Sequence, residues 1–169
     1  MLFSPRDTCA KSTQGEYIKK QFSGQPFTYA IVKDIGAPGA FDTCLQESGI
    51  EGVAHTASPF HLEAKDPKEL IEPAVKGTVG VLESITKHAK AVKRVVVTSS
   101  VAAVLEPAEP PKTFDETSFN KFSIAEVEQK GGEAGPFHMY RASKAMAEEA
   151  AWKYSKEHDL PLVTVVRTH

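Results

Sequence analysis

The sequence predicts an α/β fold, a parallel sheet covered by helices. Two observations predict it. Strand patterns alternate with helical ones along the chain. Two of the strand patterns, residues 52–58 (GVAHTAS) and 92–99 (VKRVVVTS), are also mostly apolar or uncharged, as buried parallel strands are.

The elements follow in order. Residues 27–33 (FTYAIVK) are rich in β-branched and aromatic residues and read as a strand. Residues 52–58 form a second strand closed by Pro59, 92–99 the clearest strand in the chain, and 162–167 (LVTVVR) a last one. Between them, residues 17–22 close a first helix and 40–46 form a weaker one. Val75, Val79, Leu82, Ile85 and Ala89 repeat at helical spacing, with Asp66 and Pro67 as the start signal. Ala142, Met146, Ala150 and Tyr154 stripe a last helix over residues 140–157. Residues 101–138 show little periodicity and read as a long excursion beside a site.

Bulk composition narrows the function classes. A chain of 169 residues suits one domain, and 41% hydrophobic with 25% charged residues is an ordinary globular mixture. A net charge of -2 gives no reason to expect nucleic acid or an anionic membrane surface as a partner. No apolar run approaches the roughly 18 residues that span a bilayer. The first six residues lack the pattern of a secretory signal, so a cytoplasmic location is expected. Cys9 and Cys44 form no CxxC pair and read as two small buried thiols. The six histidines show no metal-binding spacing, and His55 reads as a core histidine.

The chemistry sits in Tyr140-Arg-Ala-Ser-Lys144. Four residues of helix put the phenol and the ammonium on one flank. A neighbouring ammonium favours the phenolate, so such a tyrosine can deliver a proton to an alkoxide near neutral pH. The spacing alone is weak. Tyr29 and Lys33 share it, but within a strand pattern, where four residues span about 13 Å, and that pair reads as structural. Position strengthens the case for Tyr140. Thr98-Ser99-Ser100 ends a strand, and ligands of open α/β sheets bind at the carboxyl ends of strands. A serine there can hydrogen-bond a carbonyl oxygen and its developing charge. Ser100 is the candidate, and Ser99 reads as a turn hydroxyl.

These residues, with Val32-Lys-Asp-Ile35, His55-Thr-Ala-Ser-Pro59, Val75-Lys-Gly-Thr78, Phe114-Asp-Glu116 and Ala150-Ala-Trp152, carry a resemblance over nearly the whole chain. The chain resembles the extended short-chain dehydrogenase/reductase superfamily, and within it the group of dihydroflavonol, cinnamoyl-CoA and fungal methylglyoxal or aldehyde reductases. The resemblance implies a Rossmann-type doubly wound parallel sheet and reduction of a ketone or aldehyde, a small-molecule substrate, by hydride from NADP(H), in some members NAD(H). It implies Tyr140 as acid, Ser100 as carbonyl polariser, and Lys144 as pKa modifier and ribose ligand. Tyr140 and Lys144 thereby also belong to the cofactor site. It implies Asp34 and Ile35 at the adenine, and Thr56, Ala57 and Ser58 beside the ribose and phosphates. Arg6 is a weaker candidate for a 2′-phosphate.

The chain also departs from that pattern. No glycine fingerprint follows a strand, so the expected sheet is incomplete, lacking the first strand and its glycine-rich loop. Only residues 1–3 are assigned to the second strand. The substrate lobe expected after Arg167 is also missing. A fragment with weak cofactor binding and impaired turnover is therefore the expectation. Two alternatives stand beside it: a nucleotide-sugar epimerase or dehydratase, and a catalytically inactive binding protein.

Overall fold

The computed structural model describes residues 6–46, 49–58, 61, 63–107 and 112–168, with Arg6 described by its backbone only. The strands are β1 (Arg6–Cys9), β2 (Thr28–Ile31), β3 (Gly52–His55), β4 (Arg94–Ser100) and β5 (Leu162–Arg167). The helices are α1 (Ser12–Gln21), α2 (Asp42–Leu45), α3 (Lys68–His88), α4 (Lys121–Lys130) and α5 (Pro136–His158).

All strand pairs are parallel, in two sheets: β1 pairs with β2, and β3-β4-β5 form the other. In a doubly wound sheet ordered 3-2-1-4-5-6, these are positions 3 and 2, then 4, 5 and 6. Among the described residues no strand occupies the first position, and the two sheets share no strand pairing. The second position is filled, however. It is held by Arg6–Cys9 rather than by residues 1–3, which lie outside the described residues. A four-residue strand with one aspartate and one threonine carries too little apolar periodicity to stand out in sequence.

One core joins the two sheets. Val32 after β2, Val81, Leu82 and Ile85 of α3, Val95 and Val97 of β4 and Leu162 of β5 form one buried cluster. The opposite face of the larger sheet, bearing Val96, Val163 and Val165, is less covered. Val163 and Val165 are 37% and 46% exposed. Among the described residues, helices therefore shield one face of this sheet better than the other.

Two glycines matter for packing. A Cβ on Gly15 would meet the Tyr29 ring at 2.3 Å, so only glycine lets α1 lie this close to β2. A Cβ on Gly77 of α3 would lie 3.0 Å from Ile35 Cδ1.

Residues 101–138 hold more structure than their sequence predicts. A 3-10 turn (Val101–Ala103) follows β4 directly, then comes α4, then a second turn (Gly131–Ala134). Residues 108–111 lie outside the described set. α4 escapes a periodicity reading because little of it is buried, only Ser123 and Val127, and it relies on a cap. Asn120, fully buried, accepts the Ser123 N–H and donates to the carbonyls of Ala102 and Leu105. α5 starts at Pro136, earlier than the apolar stripe implies. Proline at the first helical position has its φ preset, and Gly135 before it takes φ 83°. No described helix is long and apolar enough to cross a membrane.

Candidate active site

β4 and α5 position the proposed chemistry. Ser100 is the last residue of β4, 3% exposed, and its Oγ accepts the Ala102 N–H at 3.1 Å. That bond turns the chain into the 3-10 turn that packs on α5. Tyr140 lies in the first turns of α5, half-buried against the cluster of Leu70, Val127, Met139 and Ala142. Lys144 lies one turn further on, 9% exposed, with Nζ 3.4 Å from the Thr98 carbonyl. Burial pushes its pKa down, and Glu148 opposes that shift.

Lys144 lines a small cavity of about 10 Å³ with His55, Ala57, Thr78, Ser99 and Glu148. His55 is the core histidine its sequence context predicts: 6% exposed, edge-on to Phe41, its Nε2 3.5 Å from Thr78 Oγ1. Burial, aided by Lys144, lowers its pKa to about 4, so the ring is neutral at pH 7. Ser99 is not a turn hydroxyl. It is 4% exposed within β4, and its Oγ donates a short hydrogen bond to Glu148 Oε2. Ser99 shares the buried side of β4 with Val95 and Val97, facing the helices, because alternate residues of a strand point to one side.

A larger cleft of about 850 Å³ opens at the carboxyl ends of β1, β2 and β3. Asp34, Ile35, Ala57 and Ser58 all line it. Ala57 borders both this cleft and the Lys144 cavity, so the two lie side by side. Asp34 also makes a local turn, its Oδ1 accepting the Gly36 N–H at 2.8 Å. Thr56, Ser100 and Tyr140 line neither space. Arg6 pairs with Thr28 at the opposite, amino end of β1, so its backbone is far along the strand from the cleft mouth.

The sequence reading missed the wall built by Cys9, Ala10, Thr13 and Gln14. Lys11, beside them, precedes α1, and its N–H donates to Gln14 Oε1 at 3.3 Å. The first turn of α1 carries no acidic residue. A basic residue just past a strand and before a helix was the available signal. Cys9 and Cys44 are both buried thiols not joined in a disulfide, as their context predicts. Tyr29 donates to Glu16 at 2.6 Å, which confirms the structural reading of the Tyr29–Lys33 spacing. No cluster of potential metal ligands occurs among the described residues.

The pattern of the NAD dependent epimerase/dehydratase family matches residues 9–169. The chain belongs to that family. Within it, the chain is similar to reductases. It is 43% identical over 143 residues to the ketoreductase azaE of Aspergillus niger, a match covering 82% of this chain and 40% of that protein. It is 46% identical over 131 residues to the cinnamoyl-CoA reductase CAD2 of Medicago truncatula, covering 75% and 37%. In three dimensions it matches the yeast methylglyoxal/isovaleraldehyde reductase Gre2, solved with NADPH. There the TM-score is 0.82 at 33% identity, covering 97% of this chain and 49% of that one. The chain thus spans less than half the length of these family members.

Proposed function

We propose that this polypeptide carries the proton-transfer site and the adenosine-side wall of an NADP(H)-dependent reductase of small ketones or aldehydes. The observation that carries the reading is Lys144: a lysine buried at the carboxyl end of β4, one helical turn from Tyr140, in a cavity that shares Ala57 as a wall with the cleft of Asp34 and Ile35. The reductase relatives add to it.

The residues present fit the adenosine part of NADP(H). A helix N-terminus and a lysine, Lys11, sit at the end of β1 where a 2′-phosphate would be met. The first turn of α1 carries no acidic side chain to bind a free 2′-hydroxyl, which favours NADP(H) over NAD(H). The pyrophosphate fares worse, since no glycine is among the cleft-lining residues. Affinity for the isolated 169-residue polypeptide is therefore expected to be weak, and a micromolar dissociation constant for NADPH by calorimetry would overturn that.

In the proposed reaction, Ser100 hydrogen-bonds the substrate carbonyl oxygen and polarises it. When bound, the nicotinamide supplies hydride to the carbonyl carbon. Tyr140 gives its hydroxyl proton to the resulting alkoxide oxygen, and the Lys144 ammonium stabilises the phenolate left behind. The test is NADPH oxidation with aromatic and short aliphatic aldehydes. Tyr140→Phe should lower turnover by about 10²–10⁴-fold while leaving the fold intact. An unchanged rate would refute the role of Tyr140. An epimerase or dehydratase would instead act on a nucleotide sugar without net NADPH loss. The reductase relatives favour the first reading.

A further inference from the structure

The titratable groups lining the small cavity pose a charge-balance problem. They are His55 from β3, and Lys144 and Glu148 from α5. Thr78 of α3 and Ser99 of β4 add only hydroxyls. All three titratable residues are at least nine-tenths buried. An isolated buried charge of either sign is disfavoured and shifts toward its neutral form. With His55 neutral, the cavity can hold a lysine cation at no net charge only if Glu148 is a carboxylate. The carboxylate is placed for that role. It follows Lys144 by four residues, so both project from one flank of the helix into one space. Ser99 Oγ donates to Glu148 Oε2. The hydroxyl comes from the residue before Ser100, which ties α5 to the strand end at the site itself.

We propose that Glu148 is a positioning residue of this site: a buried counter-charge, tethered by Ser99, that keeps Lys144 an ammonium against the end of β4. A neutral amine there could not favour the Tyr140 phenolate. The catalytic significance rests on the proton-transfer reading above, but the charge coupling does not. The lowered proton affinity that burial imposes on Lys144 agrees with this, since Glu148 is the group acting against it.

The test titrates Lys144 by carbon NMR in the full chain labelled with [ε-¹³C]lysine, its signal assigned by its loss in Lys144→Met. Glu148→Gln should lower the proton affinity of Lys144 by about tenfold, the low end for opposite charges not in direct contact. Glu148→Asp, which keeps the charge, should restore most of that. Because coupling is reciprocal, Lys144→Met should raise the proton affinity of the Glu148 carboxyl by a similar factor, read with δ-¹³C glutamate. If folded Glu148→Gln shows Lys144 titrating as in the unaltered chain, the proposal fails. If that variant does not fold, the Lys144→Met measurement decides, and an unmoved Glu148 titration refutes the coupling. Absent NADPH oxidation with the tenfold change intact would sink the reductase reading instead. Activity retained without the change would sink this one.

Discussion

Asn120 offers the sharpest test of how the strand end is held. Its side chain is fully buried and makes three hydrogen bonds, two to the carbonyls of Ala102 and Leu105 and one from the Ser123 N–H. Its own N–H also donates to the Ala103 carbonyl at 2.8 Å. Asn120→Ala removes a helix cap, which costs about 1 kcal/mol. It also strips a donor from two carbonyls on the turn that follows Ser100, at about 1 kcal/mol each when water cannot replace it. The expected loss is about 3 kcal/mol, read as a shift in the urea unfolding midpoint at constant slope. Asn120→Asp separates the two contributions. It keeps an acceptor for the cap but sets a buried carboxylate against two carbonyl oxygens, so it should destabilise at least as much as alanine. If Asn120→Ala costs under 1 kcal/mol, or Asn120→Asp is milder than alanine, the side chain is not what clamps the turn.

Further expectations follow from the same geometry. Gly15→Ala should destabilise by about 1–3 kcal/mol despite its better helix propensity, because the Tyr29 ring it strikes is tethered to Glu16. Gly80→Ala, whose Cβ would meet nothing nearer than a carbonyl at 4.0 Å, should raise the thermal midpoint, and a fall would contradict the packing described. His55 has a folded pKa of about 4 against an unfolded value near 6.5. The unfolded chain therefore binds the proton first, and stability falls as pH drops from about 6.5 to 4, by about 3 kcal/mol if the whole shift is realised. His55→Gln should flatten that part of a stability–pH curve. Asp42, held near 2 mainly by Ser84 and Lys87, should add a separate loss only below its ordinary value of 3.8. Lys11→Ala should weaken NADPH binding by about tenfold and leave NADH binding unchanged, the cost of one charge-assisted phosphate contact. Equal losses for both would remove Lys11 from the 2′-phosphate.

What was legible in the sequence, and what was not, divides along the range of the interactions. β4, β5 and α3 were readable because each is long enough for its residue pattern to repeat and for burial to impose it. Asp34, Ile35, Ala57 and Ser58 entered through the family resemblance; they line one cleft because they follow strands, and parallel strands bring their carboxyl ends to one rim. β1 was misplaced because four residues with Arg6, Asp7 and Thr8 among them take their conformation from pairing with β2, not from their own pattern. α4 was missed for a related reason, since a buried asparagine and its cap hold it more than an apolar stripe does. Ser99 and Glu148 lie 49 positions apart, and nothing local to either announces their bond.

The contrast bears on mechanism. A motif records which groups could transfer a proton, but burial lowers the proton affinity of a lysine 9% exposed, and Glu148 beside it acts in the opposite direction. The Tyr-x-x-x-Lys spacing is the same at Tyr29 and Lys33 as at Tyr140 and Lys144. One pair has its tyrosine in a short strand, bound to Glu16, and its lysine two residues beyond the strand's end. The other lies on a helix pressed against a strand end, above a carboxylate held by the neighbouring serine. If Lys144 kept its charge without Glu148, spacing would be a sufficient description of the site. If it does not, the site extends to a residue and a hydroxyl that never touch substrate, and any change at Ser99 or Glu148 should alter the pH dependence of the reaction.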